Sequence, residues 1–157
     1  MIRIIQDPVD PQELLRAASG EEVGGIASFF GAVRCQNAGK RVVAVEYHAY
    51  PTMAEKILAR VAEEMQREFG PLRVALIHRI GSLGIGEISL GIAVGAPHRR
   101  EALAAVAYAV ERVKNEVPIW KREIYSDGSA WLEPAPASPP GAGNGERSTK
   151  GEGNGRF

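Results

Sequence analysis

Cysteine is almost missing from this chain: Cys35 is the only one in 157 residues. That excludes an internal disulfide and any Cys-rich zinc site, and it fits a reducing compartment. The three histidines, His48, His78 and His98, show no metal-ligand spacing, so no metal is expected. There is no phosphate-cradling glycine loop either, because the glycine-rich stretch 81–86 lacks the Lys-Ser/Thr ending such a loop needs. No apolar run approaches the length of a membrane span. The N-terminus turns acidic at Asp7 and does not read as a signal peptide. A cytoplasmic protein is expected. Nineteen basic residues balance nineteen acidic ones. With no aromatic RNA-binding motif beside that balance, an RNA-binding domain is disfavoured.

What is present is one domain's length of chain, enough for a hydrophobic core. Composition shifts after Leu132. From 134 to 157, Pro, Gly, Ser, Asn and charged residues leave almost nothing to bury, and such a segment cannot offset the entropy of ordering itself. Residues 1–133 are therefore expected to fold and 134–157 to form a disordered low-complexity tail.

Within the folded part, 2–5 reads as a short strand. Asp10-Pro11-Gln12-Glu13 looks like a helix start, with a capping Asp, Pro at the first helical position and Glu three after the cap. Residues 23–33 and 42–48 are β-rich and joined by a polar, turn-like segment at 35–40, which predicts a hairpin. In its second strand Val43, Val45 and Tyr47 share one face. Met53, Ile57, Leu58, Val61, Met65 and Phe69 recur at helical spacing, so a helix is expected over 51–69, stopped by Gly70-Pro71. Alternating strands follow at 72–80 and 88–94, around a turn at 81–86. A second long helix spans 98–115, with Leu103, Val106, Val110 and Val113 on its apolar face. Pro118 closes it, and 119–125 makes a last strand. Short connections between neighbouring strands predict an α+β fold, with a mostly antiparallel sheet, two long helices and a short N-terminal helix.

The cations are not spread evenly. His98-Arg99-Arg100, Lys114 and Lys121-Arg122 sit at the two ends of one helix and in the strand after it. Local basic clustering in a neutral chain suggests a pocket for an anionic small molecule. His98 and Arg99 begin the helix, where free backbone N–H groups gather and where cations oppose the dipole. Lys114 lies near the end that favours a lysine. Strand alternation puts Trp120 and Arg122 on one face and Lys121 on the other, so Lys121 can enter a cleft that Arg122 does not. His78 and Arg79 diverge by the same rule, which makes His78 a hydrogen-bonded half-buried residue and Arg79 a solvated one. Arg99 and Lys114 are about 22 Å apart along the helix. A small substrate cannot bridge them, so a shared site needs the helix start of one subunit and the helix end of another, as in a symmetric dimer. Arg34 ends a strand beside Gly31. Cys35 next to it has no sequence neighbour that would make it a nucleophile.

Several segments in this order resemble the family of molybdopterin synthase large, catalytic subunits. They are Phe30-Gly31-Ala32-Val33-Arg34 with Asn37 and Gly39, Tyr50-Pro51-Thr52-Met53, His78-Arg79-Ile80-Gly81 and Gly86-Glu87. They continue with His98-Arg99, Val113-Lys114 and Pro118-Ile119-Trp120-Lys121-Arg122-Glu123. The resemblance implies an α/β-hammerhead fold and a sulfurtransferase of molybdenum cofactor biosynthesis. It implies a homodimer flanked by two copies of a small ubiquitin-like subunit, together a heterotetramer. The C-terminal Gly-Gly thiocarboxylate of that subunit enters a pocket of the large one. The substrate it implies is cyclic pyranopterin monophosphate (precursor Z), which receives two sulfurs in succession to become the molybdopterin dithiolene. Carried over residue by residue, Lys121 and Lys114 are the catalytic pair. Ala32, Val33 and Arg34 contact substrate, His98 and Arg99 come from the neighbouring subunit, and Arg122 and Glu123 lie in the segment lining the site. No cofactor is implied, and Cys35 has no fixed chemical role. Arginines crowding the two lysines are expected to disfavour their charged forms.

A different class of function also explains clustered cations: a non-catalytic dimeric module binding a phosphorylated small ligand. Only the enzyme requires Lys121 specifically.

Overall fold

The computed structural model describes residues 1–132; the expected tail at 134–157 lies outside the described residues. In chain order the elements are β1 (Ile2–Ile5), α1 (Pro11–Ala18), β2 (Gly25–Ala32), β3 (Gln36–Asn37), β4 (Lys40–Ala49), α2 (Pro51–Phe69), β5 (Arg73–Arg79), β6 (Gly81–Gly84), β7 (Ile88–Ala96), α3 (Arg99–Glu116), β8 (Ile119–Tyr125) and β9 (Gly128–Leu132). They form two sheets. One has the order β1-β5-β7-β2, the other β3-β4-β8-β9 with β6 also on β4. Only β1 against β5 is parallel, so the α+β, mostly antiparallel expectation holds.

Alternation on the first sheet builds two cores. Leu76, Leu90, Ile92 and Val94 face α2 and α3, meeting Leu58, Val61, Met65, Ala105 and Val113. Ala75, Ile77 and Ala93 face the other way, onto Leu14 and Ala18 of α1. The second sheet encloses a smaller core of Val33, Val42, Val45, Leu83 and Tyr125.

Several sequence expectations are corrected. β2 and β4 do not form a hairpin: β2 pairs with β7, and β4 pairs with β6 and β8, in the other sheet. The segment 35–40 is thus a crossover between sheets that carries the two-residue β3. Residues 81–86 are not only a turn, since β6 pairs with β4 there. A register shift between Val42 and Ala44 buries Val42 and turns Val43 out to 44% exposure, so Val43 does not share a face with Val45. Leu103 is 63% exposed, because small residues (Ala102, Ala105 and Ala109) line the buried face of α3 instead. Met53 is also exposed. At α1, Asp10 accepts from the Gln12 N–H as expected, but Glu13 reaches Arg3 of β1 rather than closing a capping box.

Candidate active site

A cavity of about 680 Å³ opens where the two sheets meet the C-terminal end of α3. β2 contributes Phe29 to Ala32, and Arg34 follows from the crossover. Tyr47 of β4, His78 of β5, and Ser89 and Leu90 of β7 form its floor. Val113, Lys114 and Val117 close it from α3, with Ile119 and Lys121 of β8. Three of the expected cations, Arg34, Lys114 and Lys121, therefore line one space, as does Ala32. A partly open space lined by three positive side chains suits a small polyanion.

Lys121 reaches the cavity because β8 pairs with β4 in a register that sets Lys121 opposite Tyr47. Its Nζ donates to Glu123 Oε1 at 2.6 Å. Glu123, two residues on and so on the same face, is only 2% exposed. Its other carboxylate oxygen accepts from Tyr125 Oη at 2.7 Å and from Asn37 Nδ2 at 3.0 Å. Burial alone would push the Glu123 carboxyl up, but the bonds from Lys121, Tyr125 and Asn37 outweigh it and hold the group below the usual carboxylate value. A buried carboxylate held by three hydrogen bonds and charged near neutral pH thus fixes the lysine head. The charge bonded to Lys121 is this carboxylate, while Arg34 lines the same cavity as both lysines.

The remaining expected site residues do not line this cavity within one chain. Arg122 points to the opposite face and sets its Nε 3.0 Å from Glu46 Oε2, as alternation predicted. Val33 is buried in the small core, with its backbone bonded to Glu87 and Gly86. His98 caps α3 and Arg99 begins it; both are exposed and a helix length away from Lys114. Arg79 is not solvated: it bonds Glu87 at 2.8 Å and the Gln6 carbonyl at 2.9 Å. Cys35 is exposed and free.

The site residues that sequence reasoning missed are Tyr47, His78 and Ser89. His78 was expected to be hydrogen-bonded and half-buried; it is hydrogen-bonded, with Nδ1 2.9 Å from the Arg79 carbonyl, and more deeply buried, at 7% exposure. The ring also meets Tyr47 edge-on at 5.2 Å between centroids, and it borders the cavity. Burial pushes its pKa down to about 4, so the imidazole is neutral near pH 7. The signal was present in the sequence, since His78 follows Leu76 on the helix-facing side of its strand. Among the described residues no cluster has the make-up of a metal site, and no helix is long and apolar enough to cross a membrane.

Comparison with known proteins gives the family. Residues 4–116 match the family model described as MoaE protein. The chain is 42% identical over 129 residues to the molybdopterin synthase catalytic subunit of Bacillus subtilis, covering 82% of each. The crystal structure of molybdopterin synthase from Staphylococcus aureus superposes with a TM-score of 0.82 at 39% identity, over 84% of this chain and 96% of that one. A Helicobacter pylori chain at 21% identity shares the fold, with a TM-score of 0.69 over 83% of this chain and 89% of its own; its structure is a complex of subunits 1 and 2 of molybdopterin-converting factor. The chain belongs to the MoaE protein family, that of the molybdopterin synthase catalytic subunits, sulfur-transferring enzymes of molybdenum cofactor biosynthesis.

Proposed function

We propose that the cavity bounded by Arg34, Lys114 and Lys121 is where sulfur passes from the thiocarboxylated Gly-Gly end of a small ubiquitin-like subunit to precursor Z. The observation that carries this reading is the convergence of those three cations on one space, with Lys121 anchored by the buried Glu123. Both reactants are anionic, the substrate through its phosphate and the peptide end through its thiocarboxylate. The cations hold the two together and stabilise charge as sulfur adds, Lys121 from a fixed position. Because Glu123 and not solvent orients Lys121, the ammonium needs no reorganisation as that charge develops.

Two further copies complete the proposal. A small partner subunit supplies the sulfur, in keeping with the two-subunit complex of the Helicobacter pylori relative. A second copy of this chain supplies His98 and Arg99, giving a homodimer within a heterotetramer in the cytoplasm. Exposed apolar side chains beside Arg99 support that contact: Leu103, one turn along α3, and Ile26, next to the Gly25 that packs on the Arg99 backbone. Val33 and Arg122 shape the walls from behind rather than touching substrate.

The test is to mix the purified chain with thiocarboxylated small subunit and precursor Z and to look for the dithiolene by mass spectrometry. Wild type should form it. Lys121→Ala should lose about a hundredfold or more in turnover with precursor Z binding weakened only a few-fold. A variant that loses affinity alone points instead to a non-catalytic ligand-binding module.

A further inference from the structure

His78 is the polar group of the cavity that the charge argument leaves without a task. Strand alternation turns it toward α2 and α3 with Leu76 and sends Arg79 to the opposite face. Its Nδ1–H donates to the Arg79 carbonyl at 2.9 Å, which fixes the tautomer and leaves the lone pair on Nε2. The Tyr47 ring, edge-on at 5.2 Å, restrains the imidazole plane. Nε2 makes no hydrogen bond to any described residue, and it is not among the polar atoms sealed in the interior. It belongs to a side chain that borders the cavity.

The charged groups around it are one-sided, and the Tyr47 hydroxyl can give or take a hydrogen bond. Arg34, Lys114 and Lys121 are donors only. The Ser89 hydroxyl donates to the Gly31 carbonyl at 3.2 Å. The three cations recognise phosphate and carboxylate oxygens but cannot tell one phosphate ester from another. A pterin differs from a simple phosphate ester in its ring and exocyclic N–H groups, which need an acceptor. We propose that His78 Nε2 is the specificity-determining acceptor of this site, taking a hydrogen bond from a pterin N–H and so orienting the heterocycle while the cations hold the anionic groups. This rests on the substrate class given under Proposed function. It adds a residue that recognises the uncharged end of that substrate.

The test compares His78→Gln with His78→Met in the full-length protein. The two side chains are nearly isosteric, and both lose the ring; only Gln carries an acceptor near the Nε2 position. His78→Asn, which keeps a donor for the Arg79 carbonyl but offers nothing at Nε2, serves as the second variant if Met does not fold. Binding is read by calorimetry without the small subunit, with precursor Z and, separately, with inorganic phosphate. The expected result is at least about a tenfold loss of precursor Z affinity in His78→Met and His78→Asn, the size of one lost hydrogen bond to a buried acceptor. His78→Gln should stay within about threefold of wild type, and phosphate binding should be unchanged in all three. In turnover, KM for precursor Z should rise by the same factor while kcat stays within about threefold.

Equal precursor Z affinity in Gln and Met variants overturns the proposal. So does a parallel loss of phosphate binding, which marks a collapsed cavity. Wild-type protein that binds precursor Z but transfers no sulfur to it defeats the sulfur-transfer reading alone, and His78 is then judged on the binding ratios. Wild-type protein that does not bind precursor Z at all overturns both.

Discussion

Lys121, Glu123 and Tyr125 alternate down one face of β8, and that spacing organises the site. Alternation was enough to separate Lys121 from Arg122 in the bare sequence. It could not show that Glu123 is buried, because its partners Asn37 and Tyr125 come from a crossover and a strand end whose meeting depends on sheet pairing. His78 was legible as a hydrogen-bonded histidine but not as a cavity wall, for the same reason: Tyr47, which it touches, sits in the other sheet. Its burial has a consequence for stability. The folded protein holds His78 at about 4, against 6.5 for the free side chain, so the unfolded chain takes up a proton that the folded one resists. The penalty is nil above pH 6.5 and grows as pH falls toward 4, to about 3 kcal/mol. Urea unfolding across pH should show stability level above about 6.5 and falling between 6.5 and 4, and His78→Gln should flatten that fall. Glu123 acts lower down: its depressed carboxyl keeps its contribution above 4.5 and loses it as pH drops further.

Among elements, periodicity located α2 and α3 and most of the described strands, and the Asp10-Pro11 start located α1. Periodicity misassigned the partners. A strand's alternation says which side is apolar but not which neighbour supplies its hydrogen bonds, so β2 and β4 looked like a hairpin although they belong to separate sheets. The bulge at Val42–Ala44 shows the same blindness, because an extra residue inverts the faces without changing the residue types. Leu103 misled differently: an alanine-rich stripe packs closer than a leucine stripe and leaves the large residue outside. Close packing also fixes α1. A Cβ on Gly95 of β7 would run into the Ala18 carbonyl oxygen at the end of that helix and press on Val23. Backbone cannot yield there as a side chain does. Gly95→Ala is expected to destabilise the protein by about 1–3 kcal/mol in denaturant unfolding, with an unchanged m-value.

On the scale of the whole molecule, a chain with no net charge places Arg99 and Lys114 at the two ends of α3 and Lys121 in the strand after it. Lys114 joins Arg34 and Lys121 around the cavity, whereas His98 and Arg99 stand at the far end of the same helix. Helix length alone made that separation plain from the sequence. The most direct measurement is therefore complementation between two defective chains. Lys121→Ala and Arg99→Ala proteins are each purified, mixed under conditions that exchange subunits, and assayed with thiocarboxylated small subunit and precursor Z. Half of the randomly formed dimers are then mixed, and each holds one complete site built from the intact Lys121 of one copy and the intact Arg99 of the other. Activity should return to about a quarter of the wild-type level. Activity no greater than the average of the two variants assayed apart would contradict a site shared between chains.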